Sequence, residues 1–523
     1  MCDILKSLAV AKKEVAALKI SFYEGYIRNQ KNLCEQLRLS AESSRNKTER
    51  KLLLTAYKRW GYDMAAHFEG SFAFAIWDEE KREMFCARDP FGIQTFYYHL
   101  TSEGEFLCSG NVREIVETKG FQKAIDPQAL QYYFMFGYPV GEKTIYKSVL
   151  KLLPGRTLIF REGQCKINRY FKPEFQPEIG VSEIEWEERI RQTLKTVLDE
   201  DRENFDFSRA QCFLSGGVDS SFLLAASGVK NAGNIGFDDK EMSEYAFAQE
   251  TAAFLGADLH PITITAEEYF GAIPSFLKNV ELPLSDPSAV AFAAGCKKTA
   301  ERTTCCLSGE GADEFFAGYH IYRKAEELAN VRYCGCFGVT DEEEARKLLR
   351  IDTFFPAEML VQDIYEKENI PDPLNRMLAV DIALWLEGDI LLNVSKNTHA
   401  CGINLLLPFA DRRMFALSAQ IPPTLKLKDS CGKYIFRKAA SEVLPEETAF
   451  RAKAGFPVPV KKWILLQPYK SEVENTLFGE HASAFLNTHV LRKLWNAFCA
   501  GSMELFQVIF TTYIFLKWYE QIF

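Results

Sequence analysis

The stretch AQCFLSGGVDSSFLLAASG, residues 210–228, decides the fold. It opens on a short apolar run, turns through a pair of glycines and ends in an apolar, helix-forming segment. That order predicts a buried strand, a tight turn and a helix. Gly216 and Gly217 permit the turn and let the backbone come close to an anion. The helix that follows offers free N–H groups and the positive end of its dipole to the same anion. Ser215, Ser220 and Ser221 add hydroxyl donors, and Asp219 is placed to hold a Mg²⁺ that neutralises phosphates. The G-x-x-x-x-G-K-[ST] pattern does not occur here, so this is not the common triphosphatase loop. An ordinary βα turn explains two glycines but not the full set Leu214, Ser215, Gly216, Gly217, Val218, Asp219, Ser220 and Ser221.

Outward from this stretch, NIGF (234–237) reads as a second strand and SEYAFAQETAAFLG (243–256) as a helix. TTCCLSGEGADEFFAGY (303–319) repeats the strand–turn–helix order, and the chain from about 370 is mostly helical. Strands alternating with helices predict a doubly wound parallel α/β sheet. Residues 20–170 have a different, β-rich texture. FEGSFAFAIWD (68–78) alternates, FYYHL (96–100) and EFLCSG (105–110) follow, and RTLIFREG (156–163) ends in a turn. Residues 1–19 read as a short amphipathic helix, or as a helix running into a strand. YFKPEFQPEIGVSE (170–183) has two prolines, a glycine and no apolar period, which places a domain boundary there. The expected domains are 1–172 and 184–523.

At 523 residues the chain is long enough for two cores. Lys+Arg number 62 against 71 Asp+Glu, a formal charge of −9, which gives no electrostatic case for nucleic acid or a membrane surface. Asp3 and Lys6 interrupt any signal-peptide layout, and the 14 cysteines then predict a reducing, cytoplasmic setting rather than a disulfide framework. No cysteine pair has zinc-site spacing.

The 210–228 stretch resembles the ATP-binding loop of the pyrophosphate-releasing ligases. LSGEGADEFFAGY (307–319), DPSA (286–289), PFADRR (408–413), GKYIFRKA (432–439) and RAKAGFPVP (451–459) resemble, in order, the signatures of the asparagine synthetase family. FEGSFAFAIWD, ARDPFGIQTFYY (87–98) and LPGRTLIF (153–160) resemble that family's N-terminal glutaminase domain, a β-rich α+β fold of the N-terminal-nucleophile type. The resemblance implies that a carboxylate attacks the α-phosphate of ATP, giving an acyl-adenylate and pyrophosphate, and that an amine then displaces AMP. It implies Asp219 and Asp313 as Mg²⁺ ligands, and Lys453, with Lys433, Arg437 and Arg451, as the cations facing pyrophosphate and adenylate. Leu214, Gly236 and Phe237 fall where the family holds adenosine, and Ser308 and Gly309 join the nucleotide site. Glu310 matches the carboxylate that binds or deprotonates the attacking amine. Simpler roles stay open: Asp313 and Glu314 also suit a helix N-terminus, and Lys433 and Arg437 an exposed i, i+4 face.

Two departures from the family pattern matter. In NVSKNTHACGINLLLPFAD (393–411), Ser395-Lys396 stands where Asp-Arg is common, His399 where Met is, and Asn404 and Leu406 where Glu and Arg are. This rewriting of the substrate side puts aspartate in doubt as substrate, with His399 a candidate contact. At the N-terminus, Cys2, which would be the glutaminase nucleophile, is followed by Asp3 rather than Gly, and the family's Arg-Gly-Pro-Asp turn is missing. ISFYEGYIRN (20–29) carries Tyr23 where an oxyanion-binding Asn is expected. Loss of one such donor costs about a hundredfold or more, so glutamine hydrolysis should be lost. Nitrogen would then come from ammonia or from the substrate's own amine, as in β-lactam synthetases and lasso-peptide cyclases. The expected partners are a small acid or precursor peptide as substrate, with a peptide-delivering protein or protease. An ammonia-using asparagine synthetase and a silent ATP-binding scaffold are the alternatives.

Overall fold

The computed structural model describes residues 18–239, 244–328, 333–335, 338–453 and 455–523. Cys2 and most of the helix expected over 1–19 lie outside them. The described chain forms two compact units: residues through Asp126 with Gly141–Lys172, and Pro127–Val140 with Pro173–Phe523.

In the first unit, strands Leu18–Ile27, Gly70–Asp78, Glu83–Arg88, Arg156–Arg161 and Gln164–Arg169 form one antiparallel sheet in that order. The alternation in FEGSFAFAIWD sorts its side chains onto two faces. Phe72, Phe74 and Ile76 pack on Leu52, Leu53, Ala56 and Tyr57 of helix Arg45–Trp60, while Ala73 and Ala75 share a core with Phe96, Tyr98 and Leu152. That helix begins at Ser44, whose hydroxyl accepts from Lys47 N–H, and breaks this β-rich region. ARDPFGIQ is structural: Asp89 accepts from the N–H groups of Phe91, Gly92, Ile93 and Gln94, and Arg88 donates to the carbonyls of Gly92, Gln94 and Leu152.

The second unit holds a fully parallel sheet in the order Asp258–Ile264, Asn231–Phe237, Gln211–Phe213, Cys305–Leu307, Asn404–Leu406. In chain order that is 3-2-1-4-5, so the sheet is doubly wound as expected. Its topological switch point lies between Gln211–Phe213 and Cys305–Leu307, where such sheets bind ligands beyond the strand C-termini. Helix Pro127–Phe136 differs from the expected first domain by belonging here. Its Tyr133 hydroxyl donates to Thr511 O (3.0 Å), and Ser285 donates twice to Gly137 O. Among the described residues no helix is long and apolar enough to cross a membrane.

Candidate active site

The loops after the two strands flanking the switch point build the site. After Phe213, Gly216 takes φ +87°, and a Cβ there would stand 2.7 Å from the backbone of Phe247 and Ala248, so only glycine fits. Serines close the turn: Ser215 N–H donates to Ser220 Oγ (3.2 Å), and Gly217 N–H to Ser215 Oγ (3.2 Å). Helix Val218–Ser227 starts at Gly217 with no side-chain cap, which leaves its first N–H groups open to a ligand. After Leu307, Gly311 (φ +94°) turns the chain into helix Ala312–Phe316. The two loops touch, for a Cβ on Gly309 would lie 3.1 Å from Asp219 Cβ.

Around a cavity of about 620 Å³ the structure gathers Leu214, Ser215, Gly217, Val218, Asp219, Ser220, Ser308, Gly309, Glu310, Asp313, Lys433 and Lys453, together with Arg437 and Arg451. Four of the expected residues stand apart from its wall. Gly216 shapes the turn from behind, and Ser221 is fully buried, its hydroxyl without a partner. Phe237 packs instead on Phe456 and Trp463, and with Gly236 it leaves the wall to Gly233, Asn234 and Ile235.

The electrostatic centre is a chain of ion pairs. Lys433, 1% exposed, places Nζ 2.5 Å from Asp219 Oδ1 and 2.7 Å from Asp313 Oδ1. It adopts φ +58° at the start of helix Tyr434–Ser441, which turns its side chain inward rather than onto an exposed face. Lys453 Nζ pairs with the other Asp313 oxygen and lies 4.4 Å above the Tyr319 ring. Burial pushes the Asp313 carboxyl up, but Lys433 and Lys453 outweigh it and hold the group well below the carboxylate range. Burial works the same way on Lys453 in the opposite sense, and Asp313 and Asp219 more than restore its proton. Burial raises Glu310, whose Oε1 accepts from Ser308 Oγ (3.2 Å), and takes Glu314 up to about 8, with Asp313 adding to the shift. Arg437 spends its guanidinium on the carbonyls of Gly432, Ala449 and Arg451, so it holds the backbone that carries the cations. Arg451 donates to Gly216 O (2.8 Å) and ties that backbone to the phosphate turn.

Asp219 and Asp313 reach one ammonium, so their carboxylates face a common point at the phosphate turn. One or two carboxylates plus phosphate oxygens are what Mg²⁺ takes, and the pair fits it. Among the described residues, no three acid, His or Cys side chains converge to cage an ion alone.

Several wall residues carried no site role in the sequence reading. Glu244 lines the cavity, raised to about 7 by burial against the pull of Lys453 and Arg451. Asp286, Ser288, Tyr319, Trp385 and Asn393 also line it; DPSA and the final Tyr of GEGADEFFAGY were the available signals. In the rewritten segment, Asn393 and Val394 reach the wall, whereas His399 is exposed and is not part of it. Lys396 is turned into a buried pair with Glu281 (2.7 Å), and Asn404 bonds Thr304 O on the sheet edge.

The glutamine amidotransferase domain family matches residues 11–171, and the asparagine synthase family matches 201–520. Asparagine synthetase [glutamine-hydrolyzing] 1 of Bacillus subtilis is 28% identical over 95% of this chain and 85% of its own length. A putative asparagine synthetase [glutamine-hydrolyzing] of Mycobacterium bovis is 28% identical over 89% of this chain and 79% of its own. The amidase chyE of Penicillium rubens is 24% identical over 85% and 73%. With the switch-point site built as described and the synthase match covering well over half of its length, the chain belongs to the asparagine synthase family and is an ATP-dependent amide-forming ligase with a glutamine amidotransferase-like N-terminal domain.

Proposed function

We propose that this ligase adenylates a substrate carboxylate and closes a ring on the substrate's own amine, without hydrolysing glutamine. One observation carries the substrate reading. The cations of the cavity wall are Lys433, Arg437, Arg451 and Lys453; Lys433 and Lys453 pair with Asp219 and Asp313, Arg437 holds backbone carbonyls and Arg451 bonds Gly216 O, so each is engaged by the nucleotide machinery. An aspartate bound there would find no cation for its α-carboxylate, since Lys396 is held by Glu281.

In this reading the uncapped helix at Gly217 and the ammonium of Lys453 hold the phosphates as pyrophosphate leaves, a densely anionic passage that fixed cations stabilise best. Asp219 and Asp313 would hold Mg²⁺, which when bound neutralises the phosphates. Glu310, in a desolvated position beside Ser308, takes the proton of the attacking amine. The missing Arg-Gly-Pro-Asp turn and Tyr23 support an amidotransferase-like domain that has stopped releasing ammonia. We place the enzyme in the cytoplasm, with a small amino acid or a precursor peptide as substrate and a peptide-delivering protein or protease as partner.

The test incubates the purified chain with ATP and Mg²⁺ and follows pyrophosphate and product mass. One arm contains glutamine, a second aspartate with ammonium, and a third acids that carry their own amine. The expected result is no glutamate from glutamine, no asparagine, and a product 18 mass units below an amine-bearing acid. Asparagine formed from aspartate and ammonium would replace ring closure with simple synthesis. Glutamate released from glutamine would restore the glutaminase.

A further inference from the structure

Tyr319 ends the GEGADEFFAGY segment and lines the cavity, yet the chemistry above gives it no task. The backbone brings it there by a sharp reversal. Helix Ala312–Phe316 stops at Ala317, which takes φ +62°, and Gly318 N–H closes back on Asp313 O (2.9 Å). A Cβ on Gly318 would run into Asp313 Oδ1 and Lys433 Cε, so only glycine lets the chain pass beside these two groups. The Tyr319 hydroxyl then donates to Glu314 Oε1 (2.5 Å) and accepts from Trp385 Nε1 (3.1 Å). Two separate elements thus hold the far end of the ring. Lys453 Nζ lies over its face, 4.4 Å from the centroid.

Lys453 has less support of its own. Residues 451–453 belong to no helix or strand, and their backbone is tied through neighbours: Arg437 donates to Arg451 O, and Arg451 to Gly216 O. The ammonium itself meets the Asp313 carboxylate and the Tyr319 ring. Asp313 is one of the two carboxylates that fit Mg²⁺, and a carboxylate that neutralises a dication attracts a neighbouring ammonium far less. The ring keeps its hold, because an aromatic face attracts an ammonium through its quadrupole and Mg²⁺ takes oxygen ligands instead.

We propose that Tyr319 is a positioning residue for Lys453, its ring face fixing the ammonium in place when Asp313 is engaged by a metal ion. The proposal rests on the ligase reading and adds a residue that acts on the chemical step through Lys453. The hydroxyl serves to hold the ring between Glu314 and Trp385, so phenylalanine keeps most of the effect.

One readout needs neither ATP nor metal. With lysines carbon-13 labelled at Cε, the full chain should show an ε-methylene resonance shifted upfield by the ring and assigned by its loss in Lys453→Met. That resonance should persist in Tyr319→Phe and lose its shift in Tyr319→Leu. The other readout is pyrophosphate release with amine-bearing acids. Tyr319→Leu should lower kcat about tenfold, with the KM for ATP and the melting temperature unchanged, and Tyr319→Phe should lose no more than about threefold. In the Lys453→Met background, Tyr319→Leu should cost nothing further, since both act at one point. Should Tyr319→Leu melt early, Tyr319→Met takes its place. A Lys453 resonance without a ring shift, a Tyr319→Phe as slow as Tyr319→Leu, or losses that multiply in the double variant would each overturn the proposal while the wild type still releases pyrophosphate. No release by the wild type with any acid would instead remove the ligase reading on which it rests.

Discussion

Lys453, half-buried on the cavity wall, and Lys426, fully buried, have opposite surroundings and make opposite predictions. Lys453 is compensated by Asp313 and Asp219. Lys453→Met should reduce pyrophosphate release by about a hundredfold or more, as loss of a transition-state cation does, with ATP-analogue affinity measured alongside to separate binding from chemistry. Lys426 is fully buried, with Asn375 Oδ1 at 3.1 Å and the Phe175 ring 4.9 Å from its ammonium, and burial lowers it to about 7 against the pull of Asp372. Its folded pKa thus lies below the unfolded value near 10.4. The fold is then penalised fully below pH 7, and stability recovers as pH rises from 7 towards 10. Lys426→Met should raise the urea midpoint at pH 6 by an amount worth on the order of a few kcal/mol, with the gain fading by pH 10; a pH-independent difference would contradict this. The phosphate-side residues were legible in the sequence because glycine, serine and lysine at fixed spacing have one economical explanation. Glu244 was not, and Asp286 only as part of DPSA. An isolated acid in a sequence reads equally as solvated surface or helix cap, and only the fold shows which acids share a wall.

Single elements fix the site by steric means that the sequence signals only in part. The strand–turn–helix at 210–228 was readable, since apolar run, glycines and helix follow one another. Its partner loop was readable too, but the order 3-2-1-4-5 that sets them side by side is a long-range pairing with no local signal. Gly216→Ala should abolish ATP-analogue binding and lower stability, because the new Cβ meets the backbone of Phe247 and Ala248 and the positive φ adds strain; calorimetric titration with the analogue reads this directly. Helix Leu392–Ala400 carries Asn393 and Val394 to the wall and is pinned by the Lys396–Glu281 pair. Lys396→Met strands a buried carboxylate and should cost about 3–5 kcal/mol in urea unfolding. His399, on the same helix but exposed, should tolerate alanine with no change in rate.

Across the whole molecule, the sequence places a boundary in the proline-rich segment near 172, and the structure groups residues 127–140 with the unit that follows it. The helix Pro127–Phe136 lies among β segments in the chain, and only its buried aromatic side, with Tyr133 bonded to Thr511, reveals its place. A fragment starting at residue 173 should therefore unfold at lower urea than one whose chain also supplies 127–140, since each large apolar side chain it buries contributes about 1.5–3 kcal/mol. The central claim concerns the bond at which ATP is cut. Phosphorus NMR of the full chain with ATP, Mg²⁺ and a panel of amine-bearing acids tests it most directly. The account predicts AMP and pyrophosphate in equal amounts, lost in Asp219→Asn. ADP and inorganic phosphate, or AMP formation that survives Asp219→Asn, would contradict it.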